Sequence, residues 1–247
     1  MYSDFAKEYD LMIDWKKRLK REIPCLLNIF KRFRVRKILD CACGTGEHLL
    51  ALVSWGFEVV GTDSSEEMLE RAREKARERN LSLEFKKTSF EVLSSIFREE
   101  FDAVLCLGNS LPHVLEDREL EASLFGMYEA LRENGILLIQ VRNYDWIFRE
   151  RLRFMKPSSR IYKNKEYLFF RMLDFYEDVM NFNIITFIKE NDEWNFKVRS
   201  SPLRPLMKEE LRKFLKKAGF SKIEFYSNYK LERWKRESVD TVVLALR

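Results

Sequence analysis

Short apolar runs alternate along most of this chain with stretches whose apolar residues recur at helical spacing. Residues 1–34 are of the second kind, with Tyr9, Leu11, Met12, Trp15 and Leu19 among the apolar positions and Pro24 as an interruption. From residue 35 the two patterns trade places. The runs 35–39, 57–62, 81–86, 101–107 and 136–141 read as buried strands, and 47–55, 65–79, 91–97 and 118–132 as the helices between them. Gly56 closes the first of these helices; Ser64 and Glu67 form a capping box for the second, which Asn80 ends, and Asn134-Gly135 turns the chain into the fifth strand. Alternation of this kind predicts an α/β fold, a mostly parallel sheet with helices on both faces. The rhythm breaks at Asn143. Residues 160–201 are rich in Phe, Tyr, Ile and Val, with turn signals at Glu177-Asp178 and Asn191-Asp192, and read as an antiparallel ribbon closed by Pro202 and Pro205. A helix over 207–217, ended by Gly219, and strands over 222–228 and 239–246 complete the pattern. The expected organisation is one domain over 1–247. It has a helical N-terminal lid (1–34), a ligand-binding core (35–143), an inserted antiparallel cap (144–205) and the end of the core (206–247).

In an open sheet of this type ligands sit beyond the carboxyl ends of the strands. The loops 40–46, 63–65, 107–113 and 142–146 converge there, with the ribbon placed to cover them. The first carries Asp40-Cys41-Ala42-Cys43-Gly44-Thr45-Gly46, a glycine-rich turn between a strand and a helix. Gly44 and Gly46 permit backbone angles closed to other residues, and the helix beginning near Glu47 directs free N–H groups into the same space. The second strand ends in Asp63, an acid placed to accept hydrogen bonds from a ribose. These features predict a nucleoside cofactor. A dinucleotide site wants a third glycine where Leu49 stands, and Glu47 adds a negative charge near a pyrophosphate. The Gly-Lys-Ser/Thr of a phosphate-binding loop is absent.

Composition narrows the setting. The 247 residues are 46% apolar, with no run of about 18 apolar residues that would span a membrane. Met1-Tyr2-Ser3-Asp4 lacks the basic-then-apolar start of a signal peptide, so a cytoplasmic location is expected. Cys25, Cys41, Cys43 and Cys106 read as reduced core residues, and with His48 and His113 as the only histidines no metal site is expected. The net charge of +5 is small and mixed; the basic clusters at 16–21, 31–37 and 149–153 read as solvated helix faces and do not indicate nucleic acid.

The two strand-end acids and the glycine turn together resemble the class I S-adenosylmethionine-dependent methyltransferases. The resemblance covers about 35–141 and 207–247 in that family's element order. It implies a Rossmann-like seven-stranded, mostly parallel sheet with an antiparallel last strand. It also implies S-adenosyl-L-methionine as cofactor and S-adenosyl-L-homocysteine as product, with Asp40, Ala42, Gly44 and Gly46 at the turn and Asp63 on the ribose hydroxyls. This cofactor has no phosphate, so Glu47 raises no conflict. Met68 joins the implied cofactor set. After the third strand, where many members have an acid near the adenine, this chain has Thr88-Ser89-Phe90, leaving Ser89 to bond the adenine and Phe90 to pack on it.

Two further runs are similar to the glycine and glycine/sarcosine N-methyltransferases: 101–110 (Phe-Asp-Ala-Val-Leu-Cys-Leu-Gly-Asn-Ser) with His113, and Arg142-Asn143-Tyr144-Asp145. The resemblance implies that Asn109 and Arg142 bind the carboxylate of a small amino acid, for which a guanidinium fork is well suited. It further implies Trp15, Arg18 and Leu107 as cofactor contacts and Tyr162 over the substrate. His113 and Tyr144 are the candidates for a base, although in-line transfer from an activated methyl demands none. Simpler roles stand beside these: Arg142 paired with Asp145 or another acid, Asn109 shaping its turn, His113 capping a helix, Asp40 as a turn-forming acid, Trp15 as core. The expected activity is methyl transfer to a small acceptor, most readily the nitrogen of a carboxylate-bearing amine, by a monomer or homodimer without a membrane or nucleic-acid partner. Methylation of RNA or protein, docked on the basic first helices, and non-catalytic cofactor binding are the rival readings.

Overall fold

Along β5 (Leu131–Arg142), Ile136 and Leu138 point to one side of a sheet and Leu137, Ile139 and Val141 to the other. All five are fully buried, so helices cover both faces. In this computed structural model residues 5–177 and 179–247 are described. Met1-Tyr2-Ser3-Asp4, on which the reading of the N-terminus rests, and Asp178, in one of the expected turns, lie outside the described residues.

The central sheet has seven strands. From one edge they run β3 (Glu84–Lys87), β2 (Glu58–Asp63), β1 (Lys37–Asp40), β4 (Phe101–Cys106), β5, β11 (Asp240–Leu246) and β10 (Ile223–Tyr226). The first five are parallel, and β11 is antiparallel to both its neighbours. The expected fold class therefore holds. One face packs on α2 (Trp15–Phe33), α3 (Glu47–Val53) and α4 (Glu66–Glu78), through residues such as Leu26, Phe30, Leu49 and Leu69. The other packs on α5 (Asp117–Ala130) and α7 (Lys208–Lys217), through Leu124, Met127, Leu211 and Leu215. The chain winds outward from β1 through β2 to β3 and then crosses back to β4. The crevice at the carboxyl ends of β1 and β4 is thus the switch point where an open sheet of this kind takes its ligand.

Several local expectations are corrected. Pro24 does not interrupt the N-terminal helix but lies inside α2, on its exposed side, where the carbonyl it leaves unpaired faces water. The break falls earlier, after α1 (Phe5–Met12), where Asp14 caps α2 by accepting from the Lys17 N–H. The cap of α4 is Ser65, not Ser64; Glu67 does not reach back to complete a box but accepts from the Ala6 N–H at 2.9 Å. The strand–helix alternation continues past Asn143 into α6 (Tyr144–Glu150), whose cap is the Asn143 side chain and whose Tyr144 and Ile147 join the main core.

The ribbon is a separate antiparallel sheet in the order β6 (Ser158–Tyr162), β7 (Lys165–Phe175), β8 (Met180–Glu190), β9 (Glu193–Leu203). The turn at Asn191-Asp192 is present, and a second joins β6 to β7 at Lys163-Asn164. Both put two successive residues at positive φ, the tight hairpin geometry that matches strand twist. Pro202 does not end the ribbon; it sits within β9, an edge strand, where its missing N–H leaves no ladder bond unmade. Helix α1 bridges the two sheets. Its Glu8 pairs with Lys197 and Arg199 of β9, while its Asp10 accepts from Lys75 and Arg71 of α4 and from Thr45 of the glycine turn.

Candidate active site

The four expected loops meet at one cavity of about 780 Å³, roofed by α1 and the inner face of the cap. A smaller lobe of about 310 Å³ adjoins it, sharing Ala42, Asp63, Ser64, Ser110 and His113 as walls. The volume suits a ligand of drug size with a second, smaller molecule beside it.

The floor is the glycine turn. Asp63, at the end of β2, accepts from the Gly44 N–H and the Ser65 N–H, both at 2.9 Å, and still has lone pairs facing both lobes. Burial raises its pKa above the usual carboxylate value, and these backbone donors oppose the rise. Gly44 lies at φ +53°, and a β-carbon there would project into open space. Gly46 and Asp40 lie elsewhere. Gly46, at φ +79°, lets α3 approach α4, since its β-carbon would stand 3.0 Å from that of Ala72. Asp40 is buried beneath the turn, accepting from the Ala42 N–H, and does not line either lobe. Burial pushes its pKa up to about 6 against the opposing charge of His48.

The objections to a dinucleotide also take a different physical form. Glu47 is turned away from the cavity into ion pairs with Lys75 and Arg79. Leu49 packs on Gly61, where a β-carbon would meet its side chain at 2.5 Å. The close helix–strand approach that a third glycine would supply from the helix is supplied here from the strand.

Trp15, Arg18, Met68 and Leu107 all line the main cavity. Trp15 donates to Asp10 and carries the Arg18 guanidinium over its ring at 5.0 Å. Arg18 is held through Nε by Glu22, which also binds His48 at 2.9 Å, and its Nη groups bond no described residue. Burial alone would raise the Glu22 pKa; the hydrogen bond from His48 and the charge of Arg18 bring it down to about 2. Ser89 and Phe90 line the smaller lobe. That lobe does have carboxylates: Glu91 accepts from the Ser89 hydroxyl at 2.7 Å, and Glu119 forms part of the wall.

Opposite Asp63, Asn109 takes a positive φ of 65°, accepts from the Arg142 N–H at 2.8 Å and bonds the Tyr144 hydroxyl at 3.0 Å. It shapes its turn and ties loop 108–113 to the end of β5, leaving one amide hydrogen for the cavity. Arg142 pairs through Nη1 with Asp240 at 3.1 Å rather than with Asp145, which caps the Lys208 N–H instead. Tyr144 is 1% exposed, and burial raises its phenol pKa well above the ordinary value despite the Asn109 bond. Its hydroxyl is engaged with the Asn109 amide. His113 stands exposed at the rim between the lobes. Tyr162 is not brought to the site: it points outward from the edge strand β6, 46% exposed, under Lys163.

Residues not foreseen also line the cavity: Phe5, Tyr9 and Met12 from α1, Gln140, Asp240 and, from the cap, Arg171. Gln140, the chain's only glutamine, links Gly108 N–H to Asp240 across the ends of β4, β5 and β11. Its solitary polar side chain in an apolar strand was a readable signal, and so was Arg171 in the run 167–173.

A glycine turn and a free-faced acid at the end of β2, with an arginine at the end of β5 on the same cavity and a seven-stranded sheet with one reversed strand, fit a nucleoside-cofactor enzyme of the group-transfer kind. The comparisons with known proteins agree. Residues 38–135 match the methyltransferase domain family. The chain is 32% identical to a glycine/sarcosine N-methyltransferase of Halorhodospira halochloris over 92% of its length and 81% of that protein's. It is 36% identical to one of Parasynechococcus marenigrum over 66% of its length, and there it spans 58% of the relative. Among solved structures, an S-adenosylmethionine-dependent methyltransferase from Clostridium acetobutylicum superposes with a TM-score of 0.80 over 99% of this chain and 98% of that one, at 19% identity. The chain belongs to the class I S-adenosylmethionine-dependent methyltransferases, and S-adenosylmethionine is its methyl donor. Among the described residues no helix is long and apolar enough to cross a membrane.

Proposed function

We propose that this enzyme methylates the nitrogen of a small, carboxylate-bearing amine. One observation carries the reading. The cavity that begins at Gly44 and Asp63 runs without a wall to Arg142 and Asn109, so a donor on the first pair faces an anion receptor on the second.

The residues present suit the donor. Gly44 leaves open space for close backbone approach, Asp63 offers free lone pairs to a ribose diol, and Arg18 has unpaired Nη groups for an amino-acid carboxylate. Ser89, Phe90 and Glu91 are assigned to the adenine, and Trp15, Met68 and Leu107 to packing against the remainder. The bound donor supplies an electrophilic methyl on a sulfonium, already activated for displacement. The chain's part is to hold the amine in line with that methyl, about 3 Å away, and to keep water out. Arg142 and the free Asn109 amide hydrogen anchor the acceptor carboxylate, while α1 and the cap close the roof. An amine that arrives protonated gives its proton to His113 or to water. The roof also favours a small molecule over an RNA or protein chain. A cytoplasmic location and a monomeric or homodimeric state complete the proposal.

The test is turnover of labelled donor with glycine, sarcosine, alanine and leucine and with their amides. The acids should be methylated and the amides should not. Arg142→Ala should raise the acceptor KM at least tenfold while S-adenosylhomocysteine affinity stays within twofold. Equal turnover of an amide and its acid would refute the assignment.

A further inference from the structure

Among the described residues one cation in the cavity is without a counterpart. Glu22 binds Arg18 and Arg21, Asp240 binds Arg142, and Asp63 is held by backbone donors. Arg171 also lines the cavity, yet no described carboxylate lies within ion-pair distance of it. Its one hydrogen bond goes from Nη2 to the Lys156 carbonyl, and its Nε is buried with no partner. Burial, and then the positive charge of Arg142, push its pKa down. Leaving such a group bare is costly, so its position calls for a ligand.

Its place in the cap is equally informative. On β7 the residues two away on either side, Phe169 and Leu173, are buried, so strand alternation turns Arg171 inward between two apolar neighbours. Directly across on β8 stands Ile184, and Phe182 stands opposite Leu173; both line the cavity. Met155 is tied to the same spot by its N–H to the Arg171 carbonyl. One arginine thus sits beside Leu173, Phe182 and Ile184, on the same cavity as Arg142 and a cationic methyl donor. Asp240 already pairs with Arg142, so Arg171 beside a sulfonium calls for an anion, and the apolar side chains next to it call for a hydrocarbon group on that anion.

We infer that Arg171 is a specificity-determining residue: with Arg142 it brackets the acceptor's carboxylate, and Met155, Leu173, Phe182 and Ile184 receive an apolar side chain. The acceptor class is then an amino acid with an aliphatic or aromatic side chain, in preference to glycine. This rests on the acceptor reading above for the location of the site, and it adds the substrate's side chain and a second arginine.

The test uses binding, so that it does not depend on turnover. Acetate, 4-methylpentanoate and 4-methylpentanamide are titrated calorimetrically into protein saturated with S-adenosylhomocysteine. The branched carboxylate should bind at least tenfold more tightly than acetate, and the amide should not bind. Arg171→Met should weaken the branched carboxylate at least tenfold, and Arg171→Lys should restore part of that loss. Both variants should keep S-adenosylhomocysteine affinity within twofold, which reports an intact fold. The inference is overturned if the branched carboxylate fails to bind, if acetate binds as well, or if Arg171→Met binds it like wild type. If Arg171-dependent binding holds but no amino acid accepts a methyl, the receptor stands and the proposed activity falls.

Discussion

Gly44 and Gly46 stand two residues apart, both at positive φ, yet a methyl group added to each should fail in opposite ways. Either alanine must hold a left-handed backbone, which costs about 1–2 kcal/mol. For Gly44→Ala that is the whole folding cost, because the new β-carbon meets nothing within 4 Å. In a chain of 247 residues the loss corresponds to a melting temperature lower by roughly 2–8 °C. The open space is the cavity floor, however, where the cofactor must approach the backbone. Gly46→Ala drives its β-carbon to 3.0 Å from Ala72 Cβ and 3.6 Å from Phe85. Overpacking adds about 1–3 kcal/mol, for a total of roughly 2–5 kcal/mol. The assay is thermal unfolding with and without S-adenosylhomocysteine. At a hundredfold excess over Kd the ligand should stabilise the wild type by about 2.7 kcal/mol. Gly44→Ala should melt slightly low and lose most of that shift. Gly46→Ala should melt much lower and keep it. A full ligand shift in Gly44→Ala, or a lost shift in Gly46→Ala at unchanged stability, would refute the division of labour between the two glycines.

Three other outcomes follow from the charges around the site. Asp40, with a folded pKa of about 6 against 3.8, holds a proton that the unfolded chain has released. The free protein should therefore lose about 2–3 kcal/mol as pH rises from roughly 4 to 6 and stay reduced above; Asp40→Asn should flatten that part of a urea-melt pH profile. Glu22 is the reverse case, its folded pKa of about 2 lying below 4.5. Its contribution is present above about pH 4.5 and disappears as pH falls toward 2, so Glu22→Gln should remove that acid limb; an unchanged limb would exclude the Glu22–His48–Arg18 cluster as its source. Asp10 joins α1 to Thr45, Lys75 and Arg71, and Asp10→Ala should cost about 3 kcal/mol, speed proteolysis before residue 15 and weaken S-adenosylhomocysteine binding. Unchanged proteolysis would show that the lid is held by other contacts.

Short-range order was legible in the chain because it follows from period and turn chemistry. Alternation between buried strands and amphipathic helices predicted the sheet, and Asp63 at the end of the second strand does line the cavity. Exceptions arose where a local signal competes with a distant partner. Ser64 and Ser65 are both good caps, and the choice fell to Ser65 once Glu67 turned to the Ala6 N–H. Pro24 reads as a breaker, but it lies on the exposed side of the helix, where the carbonyl it leaves unpaired in the preceding turn is open to solvent. Tyr162 matched a family position, but only the pairing of β6 shows it facing outward.

The sequence by itself determined the class of fold, the glycine turn and the acid at the end of β2. Each is encoded within a few residues, and the physics that makes them is local. Tertiary structure alone decided how the charges around the cavity are paired. Arg142, Asp240 and Gln140 come from strands about a hundred residues apart. Arg171 lines the same cavity from a second sheet, which helix α1 ties to the core through Glu8 and Asp10. Which charges are paired, and which one is left over, is a property of that assembly, because an ion pair depends on distance in space and carries no period along the chain.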